Sequence, residues 1–463
     1  TKGSVFVCIS GAITDGHSYI DDVAKKGAGA IVVERDVEYP EGLTVIKVAD
    51  TRKALARMSA AYFDYPAEKL TIIGITGTKG KTTTTYMMES IRVVSGIRTG
   101  LMGTNEQITG ERAIPSSHST PESYVIQETF AKMVDEGCQA VVMEVSSQGL
   151  MQSRVEGIEF DYGIFTNLQP DHIGEHEHKD FDDYLYWKSI LFQQCKLGIL
   201  NIDDSHFDEI LEGHTCQVET FGFSDEADIR ASNVSLIKDA GNLGIAYKVE
   251  GLLDFDVEIN MPGRFNVYNS LCAIAVCRHF DVSSDKIKEA LKDIKVRGRV
   301  EIVPVSDKFT VMIDYAHNAM SLESLLKTLR EYEPKRLVCL FGCGGNRARD
   351  RRFEMGGELK IPESVAVIGS EISSKLADLT IVTSDNPRYE EPQDIINDII
   401  VGVKRGPGKY IEIIDRKEAI RYSLEHAQEG DLIVIAGKGH EDYQEIKGVK
   451  HHMDDRELVM EFF

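Results

Sequence analysis

Residues 70–96 read LTIIGITGTKGKTTTTYMMESIRVVSG: an apolar run of strand type, a turn built on glycines, then Lys81, Thr82 and an amphipathic helical segment ending at Gly96. Glycines let backbone N–H groups close around phosphate oxygens, and the N-terminus of the following helix adds positive potential. Lys81 has the reach to contact β- and γ-phosphate oxygens, and Thr82 carries a hydroxyl able to ligate Mg²⁺. The stretch reads as a nucleoside triphosphate site, although Gly74 stands one position too far from Gly80 for strict Walker spacing. A Gly-rich strand–helix turn without a ligand is the alternative.

Outward from this stretch the alternation continues. GSVFVCIS (3–10), AVVMEVSS (140–147), YGIFTNL (162–168), LGILNI (197–202), FTVMIDY (309–315), RLVCLFG (336–342), LTIVTSD (379–385) and DLIVIAG (431–437) are apolar runs separated by helix-like segments. The pattern predicts an α/β fold with largely parallel sheets. Several runs end in Gly, Ser, Asn or Asp, where open parallel sheets bind ligands. Residues 218–262 read instead as short strands with turns, an antiparallel edge.

A chain of 463 residues is long enough for about three domains. Breaks are expected near DYPAEK (64–69), where an Ala-rich helix meets Pro66, and near KVRGRVE (295–301). The expected domains are therefore 1–67, 68–297 and 298–463. The first opens on Thr1 inside a βα unit and is expected to be N-terminally truncated.

The formal charge of −23 repels nucleic-acid backbones and anionic membranes, and no Lys/Arg-rich run reverses the field locally. No apolar stretch reaches the roughly 18 residues of a membrane span, and nothing reads as a signal peptide. A cytoplasmic protein is expected, with neither nucleic acid nor membrane as partner. Eight scattered cysteines without a CxxC pair read as reduced core thiols.

TGTKGKTTT closely resembles the ATP loop of the Mur ligases, and the likeness runs almost end to end. DGHSYI (15–20), STPES (119–123), EVSSQGL (144–150), TNLQPDH (166–172), YLYWKSILF (184–192), GRFNVYN (263–269), GRVE (298–301), DYAHNA (314–319), FGCGGNR (341–347), SDNPR (384–388) and GKGHE (437–441) stand in that family's order. The resemblance implies a nucleotide-sugar-binding α/β domain, a central P-loop-type ATPase domain with a mostly parallel sheet, and a C-terminal Rossmann-like domain. It implies an ATP- and Mg²⁺-dependent amide ligase of peptidoglycan biosynthesis. Such an enzyme adds meso-diaminopimelate to UDP-N-acetylmuramoyl-L-alanyl-D-glutamate through an acyl phosphate, as a monomer. The alternatives are the same ligase using L-lysine, or a catalytically silent nucleotide-binding relative. The related folate polyglutamylating ligase shares the ATP loop, but EVSSQGL with SDNPR and GKGHE points away from it.

By the same resemblance Gly77, Thr78, Lys79, Gly80, Lys81, Thr82, Thr83, Asn266, Arg299, Asp314 and His317 bind ATP. Lys81, Glu144, His172 and Lys188 are catalytic, with Lys188 reacting with CO₂ to become a carbamate. Thr82, Glu144 and His172 hold the metal. Glu144 ends an apolar strand, where a carboxylate is costly without a cation or an N-capping role. A lysine amid Tyr and Trp is otherwise a snorkelling core-edge residue. His172 and His176 have the i, i+4 spacing of a zinc helix, yet Pro170 and Gly174 argue against a helix there. Ala12, Ile13, Thr14, His118, Ser119, Thr120, Ser146, Gln152 and Arg154 are assigned to the UDP-linked precursor, with His118 and Gln148 departing from the family's usual Asn and His.

Arg347, Asp385, Asn386, Pro387, Arg388, Gly437 and Glu441 are assigned to the amino acid. A distal centre carrying both a carboxylate and an ammonium group needs an arginine for one and an acid for the other. Lysine lacks that carboxylate and would leave Arg388 facing a positive amine. The family's GGDRDR pattern is replaced here by GGNRARDRR, and residues 357–370 read as an insertion.

Overall fold

The computed structural model describes residues 2–11, 14–116, 118–174, 177–239, 242–345 and 368–463. They form two compact units, Thr1–Ala231 with Val249–Asp254 and Tyr268–Ala290, and Ser232–Lys248 with Phe255–Val267 and Leu291–Phe463.

The first unit opens with three parallel strands, β1 (Val5–Val7), β2 (Ala30–Val33) and β3 (Thr44–Lys47), adjacent in that order. Cys8, Ile20, Ile31 and Val33 make their small core. The helix Thr51–Tyr62 follows, capped by the Asp50 carboxylate accepting from Lys53 N–H. It stops where Asp64 and Tyr65 turn left-handed, at φ 59° and 48°, before Pro66.

The main sheet of this unit contains β4 (Thr71–Thr76), β5 (Thr99–Met102), β6 (Glu106–Thr109), β7 (Arg112–Pro115), β8 (Ala140–Glu144), β9 (Phe160–Phe165), β10 (Cys195–Asn201) and β11 (Gln217–Gly222). Their spatial order is β11-β10-β9-β4-β8-β5-β6-β7. β4 lies between β8 and β9, parallel to both, and is buried from Ile72 to Thr76. Burial on both faces explains its unbroken apolar run. Parallel pairing also aligns the carboxyl ends of β4, β8 and β9, so Thr76, Glu144 and Phe165 share one rim of the sheet.

The expectation for residues 218–262 is corrected in two respects. The strands β12 (Ile229–Asp239) and β13 (Asn242–Gly251) are long, at 11 and 10 residues, and β12 joins β11 in parallel, Phe221 against Ile229. β13 lies next to β12 toward the edge, so the segment does end the sheet on that side, and the antiparallel strands β6 and β7 follow β5 at the opposite edge. Each is four residues long, too short to reveal a two-residue period.

After β14 (Phe255–Ile259), the second unit builds a sheet from β15 (Glu301–Val303), β16 (Thr310–Asp314), β17 (Arg336–Phe341), β18 (Leu379–Val382), β19 (Lys409–Glu412) and β20 (Asp431–Ala436). The order is β15-β16-β20-β17-β18-β19, parallel throughout except β15. Val311, Ile313, Val338, Leu340, Ile381, Ile433 and Ile435 form its core. The antiparallel hairpin β21 (Tyr443–Ile446) and β22 (Val449–His452) follows. Among the described residues, no helix is long and apolar enough to cross a membrane.

Candidate active site

Beyond β4 the chain makes the turn that its glycines foretell. Gly77 and Gly80 take φ of 144° and 87°. A Cβ on Gly77 would lie 2.0 Å from Thr166 Oγ1, and one on Gly80 would lie 2.4 Å from Asn269 Oδ1, so neither position admits a side chain. The end of β9 props the loop from below. Asn167 O accepts from Thr78 N–H at 2.8 Å, Asn167 Oδ1 accepts from Lys79 N–H at 2.9 Å, and Thr166 Oγ1 donates to Lys79 O at 2.7 Å. Lys81 opens the helix Lys81–Val94 and its Nζ folds back onto Gly77 O at 2.7 Å. Thr83 is buried in the same first turn.

Glu144, at the end of β8, is completely buried. Thr82 Oγ1 donates to its Oε1 at 2.9 Å, Thr104 N–H to the same oxygen at 2.9 Å, and Thr104 Oγ1 to Oε2 at 2.8 Å. Four strands apart in sequence, Thr82 and Glu144 thus meet at one point, and Thr104 bridges them to Ser119, whose Oγ is 2.6 Å from Thr104 Oγ1. All these donors and the carboxylate are oxygen or N–H groups, the oxygen atoms being of the hard type that Mg²⁺ accepts.

The turn after β8 gathers the residues assigned to the precursor. Ser146 caps the helix Ser147–Met151 through Gly149 N–H, and its own N–H donates to Thr120 Oγ1 at 2.9 Å. Arg154 reaches Thr120 O at 2.6 Å, Gln152 Oε1 at 2.8 Å and Glu122 at 3.1 Å. The exposed His118 accepts at its carbonyl from Ser116 Oγ. Thr14, also exposed, accepts from Gly11 N–H. Ala12, Ile13, His176 and Arg347 lie outside the described residues, as does the proposed insertion up to residue 367.

Lys188, buried in the helix Phe181–Ser189, donates to Gly77 O at 2.9 Å and stands 4.7 Å over the Tyr184 ring. Burial, reinforced by the Lys81 charge and only partly opposed by Asp171, pulls its pKa well below the usual lysine value. His172 stands apart from Thr82 and Glu144 in its hydrogen bonding. Its ring meets Glu177 Oε1 at 3.2 Å and is half exposed, in a loop rather than a helix. The buried histidine of this region is His178.

In the second unit the strand ends form a pocket lined by Tyr315, His317, Gly342, Cys343, Gly344, Asp385, Asn386, Arg388, Gly437 and Glu441. Five of the residues assigned to the amino acid are therefore brought together, and Pro387 lies between two of them. Asn386 Nδ2 donates to Glu441 Oε2 at 2.8 Å. Arg388 Nη1 donates to Gly345 O at 2.8 Å and its Nε to Glu445 Oε2 at 3.2 Å. Beneath lies Lys438, wholly buried, 3.5 Å from Glu441 and 3.7 Å from Asp385. Burial first, then the Asp385 charge, raises the Glu441 pKa against the pull of Lys438.

Asp314 ends β16 and accepts from Val300 N–H at 2.7 Å and Ala316 N–H at 2.8 Å. The His317 ring lies 4.5 Å from that of Tyr315, His440 lies 4.9 Å from it on centroids, and the Arg299 guanidinium stands 4.8 Å over the same ring. Asn266 is buried, donating to Pro262 O at 2.7 Å. The sequence reading missed Thr104, Asn167, Lys438 and Glu445. Of these Asn167 and Lys438 sit inside recognised motifs, TNLQPDH and GKGHE, and that placement was the available signal.

The chain is similar to known proteins over nearly its whole length. Residues 1–63 match the model described as Mur ligase family, catalytic domain, residues 75–277 the Mur ligase middle domain, and residues 298–439 the Mur ligase, glutamate ligase domain. The chain is 43% identical over 467 residues to the UDP-N-acetylmuramoyl-L-alanyl-D-glutamate--2,6-diaminopimelate ligase of Clostridium perfringens (strain 13 / Type A), covering 99% of this chain and 92% of that one. It is 40% identical to the ligase of the same name from Clostridioides difficile (strain 630), covering 100% and 92%. A solved structure of a ligase with that name matches with a TM-score of 0.68 and 28% identity, covering 100% of this chain and 92% of that one. The ADP complex of the MurF ligase from Thermotoga maritima matches in fold, with a TM-score of 0.61, 17% identity and coverage of 100% and 94%.

Proposed function

The chain belongs to the Mur ligase family, and on that premise we propose that it joins meso-diaminopimelate to UDP-N-acetylmuramoyl-L-alanyl-D-glutamate at the expense of ATP, in peptidoglycan synthesis. The observation that carries the choice of amino acid is the pocket lined by both Arg388 and Glu441, with Glu441 held by Asn386. Arginine offers a planar pair of donors to a carboxylate, and a carboxylate accepts from an ammonium group. A side chain bearing both groups at one carbon satisfies both residues.

A carboxylate oxygen is a poor leaving group, so an amide forms in water only after activation. In this reading a precursor carboxylate oxygen attacks the γ-phosphorus of ATP, ADP departs, and the amine of diaminopimelate attacks the resulting acyl phosphate. Loss of inorganic phosphate and a proton leaves the amide. Lys81 and the N–H groups around Gly77 and Gly80 hold the polyphosphate and offset charge gathering on its oxygens. Thr82 and Glu144 are the residues that would hold Mg²⁺, and a buried carboxylate already within reach of a hydroxyl fits that ion. When bound, Mg²⁺ supplies charge neutralisation at the phosphate oxygens.

Burial favours the neutral amine of Lys188. That amine is the form able to add to CO₂, giving a carbamate and releasing a proton. Ser146, Gln152 and Arg154 hold the precursor. The enzyme is read as a cytoplasmic monomer.

The deciding measurement is phosphate release from ATP and Mg²⁺ with UDP-muramoyl-dipeptide, comparing meso-diaminopimelate, L-lysine and no amino acid. Release with diaminopimelate alone is the expected result. Release with lysine would discard the pocket assignment, and silence with every amino acid would discard the ligase.

A further inference from the structure

Three side chains outside the assigned roles form a continuous hydrogen-bonded line in the first unit. Ser147 Oγ lies 2.9 Å from His178 Nε2, and Asp183 Oδ2 lies 3.0 Å from His178 Nδ1. Ser147 and His178 are buried, at 2% and 0% exposure, so no water competes for the ring. An ionised carboxylate only accepts, which makes Nδ1 the protonated nitrogen. Burial keeps the ring neutral, as the lowered pKa of His178 also indicates, and Nε2 is left to accept the Ser147 hydroxyl proton.

The two ends of this line belong to the two halves of the site. Ser147 is the first residue of the helix capped by Ser146, and Ser146 is tied in turn to Thr120 and so to Arg154. Asp183 lies in the first turn of the helix carrying Tyr184 and Lys188. The Tyr184 ring packs 5.3 Å from that of His178, and its hydroxyl reaches Thr78 Oγ1 of the phosphate loop at 3.1 Å.

We propose that His178 is a positioning residue: held by Asp183, it fixes Ser147 and thereby the Ser146 turn at the distance from the Lys188 helix that precursor binding requires. The assignment rests on the functional reading above, in which Ser146 contacts the precursor. The ring touches neither nucleotide nor amino acid in that reading, and its effect passes through Ser147.

The test is steady-state phosphate release by Ser147→Ala, His178→Ala and His178→Gln, with KM measured separately for precursor, ATP and diaminopimelate. Losing one buried hydrogen bond at the Ser146 turn should raise KM for the precursor by about tenfold or more in the two alanine variants. KM for ATP should stay within about twofold, and His178→Gln, which keeps a donor and an acceptor, should recover most of the loss. Unchanged KM for the precursor in Ser147→Ala would overturn the assignment. So would an equal rise for all three substrates alongside a lowered melting temperature, the mark of general loosening. Wild-type protein that releases no phosphate would overturn the functional reading, and this assignment with it.

Discussion

Lys81 and Lys188 donate to one acceptor: their Nζ atoms lie 2.7 Å and 2.9 Å from the carbonyl oxygen of Gly77. Burial first, and then the Lys81 charge beside it, pulls the Lys188 pKa well below the ordinary lysine value. The folded-state pKa of Lys188 is depressed, so its stabilising contribution is complete only above the unfolded value and is lost as pH falls. At neutral pH the residue therefore costs stability. Lys188→Met should melt a few degrees higher than wild type at pH 7, with the gap narrowing toward alkaline pH, while phosphate release falls about a hundredfold or more. Calorimetry and turnover on the same samples check both halves, and wild-type turnover should drop in CO₂-depleted buffer.

The phosphate loop gives a steric prediction. Because a methyl group on Gly77 would meet Thr166 Oγ1 at 2.0 Å, Gly77→Ala must displace either the loop or the β9 end that supports it. Affinity for a fluorescent ATP analogue should fall by about tenfold or more. Binding as tight as wild type would show that the loop does not enclose phosphate.

Arg388 should act on selection of the amino acid and not on ATP. Arg388→Lys keeps a charge but loses the planar pair of donors, and KM for diaminopimelate should rise by about tenfold or more while KM for ATP holds. Equal loss toward both substrates would remove Arg388 from the pocket's working parts.

His440 makes stability depend on pH in a defined window. Burial, with the Arg299 and Arg297 charges second, lowers its pKa from 6.5 to about 4. The neutral ring is thus fully stabilising above pH 6.5, and the contribution is lost as pH falls toward 4, by at most about 3 kcal/mol. Urea unfolding at several pH values should show this slope in wild type and a flatter one in His440→Phe. Identical slopes would place the titration elsewhere.

Much of this arrangement was legible in the sequence because it is local. The strand, turn and helix of residues 70–96 lie within one segment, and the strand-end motifs announce the rim of a parallel sheet. What stayed hidden depends on pairing across long separations. Thr104 reaches Glu144 only because β5 lies beside β8, and Glu445 reaches Arg388 only because a late hairpin returns to the loop after β18. The His172 ring has Glu177 Oε1 at 3.2 Å, a neighbour that lies outside the motif containing His172.

Arg388 has left-handed backbone geometry, at φ 52°, and its N–H and C=O are both taken by the hairpin, through Glu445 O and Lys447 N–H. The guanidinium is thus delivered by a small module of three parts: the loop, the hairpin and the Glu445 side chain. Evolution or engineering toward a different incoming amino acid cannot treat the arginine as an isolated letter. Exchanging the side chain alone leaves a backbone shaped for its predecessor, whereas transplanting the loop together with residues 443–452 moves the selector as one heritable part.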